Sequence, residues 1–207
     1  MLRGLRTAIG FLTIIPVHHP GDGRPGSLEQ AVAWFPVVGL GIGAMLAGLS
    51  LLLASLPGEL AAGLLLAAWL AISGMLHLDG LLDCADALLA PVSPERRLEI
   101  LRDVHMGSFA FGVGSVALLL KWVSLSHLEG TATLLVVPCV ARAVVVVNIA
   151  RYPGARTEGL GAQAAGKLAW PGLLVATLIT PAAPIAAAGV IRVATVSYTH
   201  LTLPTSG

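Results

Sequence analysis

The sequence predicts an all-α fold, a polytopic bundle of about five transmembrane helices. Three observations predict it. The 207-residue chain is 56% hydrophobic, with a mean hydropathy of +0.87. Only 11% of its residues are charged, against roughly 25% in soluble domains. Its apolar residues also gather into runs of the ~20 residues that a helix needs to cross a bilayer. The same numbers exclude a disordered chain, which is polar and charged. A net charge of +1 offers no basic surface for nucleic acid. The two cysteines, Cys84 and Cys139, suggest neither a disulfide framework nor a zinc motif.

The first 17 residues are apolar, with Arg3 and Arg6 near the start. No A-x-A-like cleavage site follows them, so the segment reads as an interfacial or re-entrant helix rather than a signal peptide. Residues 21–27 (GDGRPGS) form a loop by their Gly and Pro content. Trp34 to Leu56 is the first span, and Leu60 to Leu78 the second. Gly107 to Ser126 is the third, and Thr131 to Ala150, with Arg142 inside it, the fourth. Leu168 to Val190 is the fifth, with Pro171, Pro181 and Pro184 as kinks. Arg3, Arg6, Arg24, Arg96, Arg97, Arg102, Arg151, Arg156 and Lys167 all fall in 1–33, 79–106 and 151–167. The loops 57–59 and 127–130 hold no Lys or Arg. Positive charge stays inside, which puts the N-terminus and the segment 79–106 in the cytoplasm.

The acidic residues are unevenly spread. Of eleven, Asp79, Asp83, Asp86, Glu95, Glu99 and Asp103 fall between residues 77 and 105, beside His77 and His105. The core reads His77-Leu-Asp79-Gly-Leu-Leu-Asp83-Cys-Ala-Asp86. On a helix the three aspartates share a stripe about 60° wide, with His77 on another face unless Gly80 breaks the helix. Close like charges raise one another's pKa, and a divalent cation relieves that. Oxygen-only ligands suit Mg²⁺. A solvated helix end is the plain alternative, but no basic residue occurs between Arg24 and Arg96 to relieve the repulsion.

Ser93, Pro94 and Glu95 make a helix start. Glu95 and Glu99 read as partners of neighbouring arginines. Asp103 closes this helix, where an acid opposes the dipole; it is either a structural residue or a fourth metal ligand. Arg142 within a span is either paired with an acid of the bundle or an anion site. The loop Arg151-Tyr-Pro-Gly-Ala-Arg156-Thr-Glu158-Gly159-Leu-Gly161 has arginines that suit phosphate and glycines that let a ligand approach. Gly39-x-x-x-Gly43 sits inside a span and reads as a helix-packing face, not a nucleotide loop. Carboxylates for Mg²⁺ beside arginines and a Gly loop point to phosphoryl transfer.

These residues resemble a known family. His77-Leu-Asp79-Gly80-Leu-Leu-Asp83-Cys-Ala-Asp86, then Arg97 to Asp103 and Gly107-Ser-Phe-Ala-Phe-Gly112, are similar to cobalamin synthase, the adenosylcobinamide-GDP ribazoletransferase of bacterial and archaeal membranes. Phe11-Leu-Thr-Ile-Ile-Pro16 and Ala155 to Gly161 support the likeness, which runs from about residue 2 to 190. It implies a multi-pass protein of the cell (inner) membrane that joins adenosylcobinamide phosphate, from adenosylcobinamide-GDP, to α-ribazole or its 5′-phosphate. GMP leaves and Mg²⁺ is required. Asp79, Asp83, Asp86 and Asp103 then match the acidic positions for metal and diphosphate. Arg142, Arg156, Glu158, Gly159 and Gly161 match substrate-side positions. His77 matches a position for a base or a hydrogen-bond donor.

Two other readings share features. A CDP-alcohol phosphotransferase expects an Ala-Arg after its first Asp-Gly, which is absent here. A cation-coupled transporter expects acids near the midplane of repeated broken helices. After Ile191 the family continues in apolar helix, whereas Val196 to Gly207 is polar and Thr-rich and resembles translated sequencing adapter. The expectation is a membrane domain over 1–192, with further C-terminal spans missing, and a non-native tail over 193–207.

Overall fold

A computed structural model describes residues 2–17, 27–103 and 105–151. Eight helices lie among the described residues: α1 (Leu2–Leu12), α2 (Leu28–Val32), α3 (Phe35–Leu52), α4 (Gly58–Ile72), α5 (Leu76–Leu89), α6 (Pro94–Ile100), α7 (Ser108–Ser126) and α8 (Ala132–Arg151). The fold is all-α, as the composition requires. Among the described residues, three helices are long and apolar enough to cross a membrane: α3, α7 and α8. They match the expected first, third and fourth spans. The fifth, the tail and the loop 21–26 lie outside the described residues.

The second expected span is corrected. The apolar run does not continue as one helix to Leu78. It breaks after Ile72, and α4 and α5 meet at 87°. The cause is local. Gly74 and Met75 are left-handed, at φ 56° and 57°. The Gly74 N–H donates to the Ala71 carbonyl and the Met75 N–H to the Leu70 carbonyl, both at 3.0 Å. That is a Schellman C-cap, which closes a helix and leaves a glycine just past its end. The Ser73 hydroxyl also donates to the Trp69 carbonyl at 2.9 Å. The helix does not break at Gly80, so the aspartate stripe holds and His77 stays off it. Among the described residues the bent pair counts either as a fourth, broken span or as a re-entrant loop.

The described chain divides into two compact units. One holds α1 to residue 11, α2, α3 to residue 48, and α8. Its core includes the fully buried Val32, Ile42, Leu46, Leu134 and Val146. Phe11 stacks on Phe35 with ring centroids 5.8 Å apart. The expected glycine face packs α3 on α8. A Cβ on Gly39 would stand 2.5 Å from the Pro138 carbonyl oxygen, and one on Gly43 would stand 2.6 Å from that of Leu134. Leu134 is the residue whose carbonyl Pro138, lacking an N–H, cannot serve within α8. The Cys139 thiol donates to the Pro36 carbonyl at 3.0 Å across the same seam.

The other unit holds α4 to α7. α7 is its spine, packed by α4 on one side and by α5 on another, with α6 lying on α5. Trp122 Nε1 donates to the Glu59 carbonyl at 2.9 Å. The Lys121 ammonium lies 3.5 Å from the centre of the Trp69 ring, a cation–π contact that a span favours over bare hydrocarbon. The Leu82 side chain rests where a Cβ on Gly114 would be, so α5 comes close to α7.

Candidate active site

Because α5 is unbroken, the i, i+4, i+7 spacing sets Asp79, Asp83 and Asp86 on one face. All three line a pocket of about 310 Å³. Leu82 completes the α5 wall, and Leu101, Arg102, Asp103, His105, Met106 and Ala110 form the facing one. That facing wall follows α6, which starts as expected: Ser93 is its N-cap and Pro94 its first residue. Hydrogen bonds to its own backbone and to Ser93 hold the Glu95 carboxyl below its usual range. Glu99 pairs with Arg96 one turn away.

The four expected aspartates therefore share one pocket, but they are engaged differently. Asp86 Oδ2 accepts the Gly107 N–H at 2.6 Å, and Oδ1 accepts the Ala110 N–H at 2.9 Å. Asp103 lies just beyond the end of α6, its N–H donating to the Ile100 carbonyl at 2.9 Å. Its Oδ1 accepts the His105 backbone N–H at 3.1 Å, and the His105 ring Nδ1 stands 2.6 Å from the same oxygen. These bonds to His105 hold the Asp103 carboxyl below the usual carboxylate range. Asp79 and Asp83 keep no such bond among the described residues. Burial, then the charge of Asp79, then that of Asp86 push the Asp83 carboxyl up. Among the described residues, no three His, Cys, Asp or Glu side chains converge closely enough to hold a metal ion by themselves.

His77 stands on α5 but does not line the pocket, as its place on the helical wheel predicts. His105, to which the sequence assigned no role, does line it. The signal that could have found it is the Asp103-x-His105 spacing past a helix end. Arg142 is buried in the first unit, 3% exposed. Its Nη1 donates to the Pro138 carbonyl at 3.4 Å, and its Nε and Nη2 have no hydrogen-bond partner among the described residues. Arg156, Glu158, Gly159 and Gly161 lie outside the described residues.

Comparison with known proteins decides which family this pocket belongs to. The profile of the family described as cobalamin-5-phosphate synthase matches residues 4–205. The chain belongs to the cobalamin-5-phosphate synthase family. The matched range takes in most of the segment 193–207. The adenosylcobinamide-GDP ribazoletransferase of Deinococcus radiodurans is 45% identical over 161 residues, which are 78% of this chain and 60% of that protein. The ribazoletransferase of Thermosynechococcus vestitus is 42% identical over 156 residues, 74% of this chain and 63% of that protein. That of Desulfitobacterium hafniense is 38% identical over 167 residues, 77% and 66%. The matched part of the chain thus spans about 60 to 66% of these curated relatives. No solved structure matches. Membership of the cobalamin-5-phosphate synthase family fits the helical, membrane-spanning character of the chain and sets the CDP-alcohol phosphotransferase and transporter readings aside.

Proposed function

We propose that this protein transfers adenosylcobinamide phosphate from adenosylcobinamide-GDP to α-ribazole or its 5′-phosphate, with Mg²⁺, at the cytoplasmic face of the cell membrane. The observation that carries this is the acidic pocket itself, Asp79 and Asp83 facing the Asp103–His105 pair, in a chain of this family. In the reaction the ribazole hydroxyl oxygen bonds to the cobinamide-linked phosphorus. The bond from that phosphorus to the bridging oxygen breaks, GMP leaves with the oxygen, and the hydroxyl proton goes to a base.

The donor set fits a hard cation, because every candidate ligand is an oxygen. Mg²⁺ seldom needs an all-protein cage; it is commonly held by one or two carboxylates, substrate phosphates and water. Asp79 and Asp83 would supply those two carboxylates. Bound there, the cation would supply charge neutralisation of the diphosphate as GMP departs. Asp79 and Asp83 would hold the cation at the α5 wall of the pocket. Leu82, Leu101 and Met106 supply apolar lining beside the carboxylates. Asp103 fixes the His105 ring through Nδ1, leaving Nε2 as the ring atom to accept the hydroxyl proton. His105 replaces His77 in that role, since His77 stands outside the pocket.

Membranes carrying the protein, given adenosylcobinamide-GDP, α-ribazole and Mg²⁺, should yield GMP and adenosylcobalamin in equal amounts. No GMP above a vector control would refute the proposal. His105→Ala should abolish turnover more completely than His77→Ala; the reverse order would return the base to His77.

A further inference from the structure

We infer that Asp86 is a positioning residue that clamps α5 to the start of α7, and that it stands outside the cation ligand set. This rests on the cation reading above but departs from the three-aspartate set that the motif suggests.

The geometry is that of a helix cap supplied from elsewhere in the chain. A capping box satisfies two donors at a helix start: the N-cap side chain takes the N3 N–H, and the N3 side chain takes the N-cap N–H. Here the N-cap is Gly107, which has no side chain, and N3 is Ala110, which has no acceptor. Asp86 serves both donors with one carboxylate, Oδ1 on Ala110 and Oδ2 on Gly107. The partners are 21 and 24 residues away in sequence, so the contact ties two elements together.

Gly107 is the second observation. Its φ is −88° and its ψ −179°, extended backbone that any residue adopts. Conformation therefore does not call for glycine. Space does. A Cβ there would lie 2.6 Å from Asp86 Oδ1, 2.8 Å from Cγ and 2.9 Å from Oδ2. The carboxylate fills the volume of the missing side chain.

This placement removes Asp86 from cation binding for two reasons. Each of its oxygens already accepts a charge-assisted bond. A cation on those oxygens would also sit against the positive end of α7. Asp79 and Asp83, farther back along α5, carry neither handicap. What the clamp positions is the facing wall, since Asp103, His105 and Met106 lie in the segment that ends at Gly107.

The test uses the chain in detergent micelles, with Mn²⁺ alone as the probe of the cation site. Thermal unfolding of Asp86→Ala, Gly107→Ala and the double variant forms a cycle. Each single variant should lower the unfolding temperature. The double should fall no lower than the worse single, because truncating Asp86 vacates the space that a Cβ at position 107 needs. Additive losses would overturn the clamp. Mn²⁺ affinity should be within about twofold of wild type in Gly107→Ala. In Asp86→Asn it should drop no more than ~5-fold, the through-space effect of one charge near the surface. Asp83→Asn should lose more than about tenfold. A loss in Asp86→Asn equal to that in Asp83→Asn would restore Asp86 as a ligand. Below its unfolding temperature and at saturating Mg²⁺, Asp86→Asn should release GMP at least tenfold more slowly with an unchanged Mg²⁺ activation constant. An unchanged rate would reduce Asp86 to a purely structural role and overturn positioning. A wild-type protein that takes up no Mn²⁺ would overturn the cation reading instead, while the unfolding cycle still decides the clamp.

Discussion

Replacing Gly39 and Gly43 with alanine, one at a time, tests how α3 and α8 are held together. The added methyls would meet the Pro138 and Leu134 carbonyl oxygens at 2.5 and 2.6 Å. A carbon–oxygen contact rests at about 3.3 to 3.6 Å. The helices must therefore separate locally by roughly 0.8 Å, and the obstacle is backbone, which cannot rotate aside. A gap of that size forfeits about a quarter to a half of the dispersion energy of the contacts it opens. Overpacking of this kind costs about 1–3 kcal/mol. Alanine returns up to ~1 kcal/mol through its higher helix propensity, so the net loss is about 0–2 kcal/mol at each site, and the gap from an unobstructed glycine of the same helix stays at about 1–3 kcal/mol. The double variant should lose less than the sum, because one separation relieves both clashes. Gly41 and Gly48 lie on the same helix with nothing within 4 Å of an added methyl; alanine there should be neutral or stabilising. The assay is unfolding in mixed micelles titrated with SDS, comparing the four single variants. If Gly39→Ala and Gly41→Ala unfold together, the reasoning fails.

Other outcomes follow from the acidic pocket and the bend. The Asp83 carboxyl is pushed up from 3.8, so its contribution to stability is full below that value and is lost as pH rises through the folded value. Asp83→Asn in chelator should therefore be at least as stable as wild type at neutral pH, with the difference vanishing in acid; marked destabilisation of the cation-free variant at neutral pH would contradict this. Asp103 has the opposite sign. Its carboxyl is held below 3.8, so its contribution is present above that value and is lost as pH falls through the lower folded value. Asp103→Asn should blunt the acid limb of an unfolding-temperature profile, and an unaltered limb would dismiss the Asp103–His105 pair as a source of stability. Gly74→Ala should cost about 1–2 kcal/mol by forcing alanine into the left-handed region. Gly74→Asn should cost less, and equal losses from the two would point away from backbone conformation.

The sequence made the aspartate stripe legible because helical periodicity depends only on spacing, and the helix does hold through Gly80. The packing role of Gly39 and Gly43 was legible for the same reason, as was the Ser93-Pro94 start of α6. The bend was not, because Ser73-Gly74 lies inside an apolar run where hydropathy is blind to a C-cap. Nor was the occupation of Asp86. Its partners are backbone N–H groups at the start of α7, and a side-chain pattern carries no trace of them. The tension in placing Asp103 at a helix end was visible, but its bonds to His105 needed the turn that brings that residue back.

The bond between Asp86 and Gly107 has a consequence for how such a protein can change over time. It pins both ends of the intervening segment, which carries half of the pocket. Lengthening a segment with fixed ends is cheap, about 0.6 kcal/mol of closure entropy for each doubling. Insertions between α5 and α6 can therefore accumulate without dislodging the carboxylates behind them. The aspartate stripe on α5 keeps its place, and Asp103 and His105 stay tethered to it through Gly107 whatever the length of that connection.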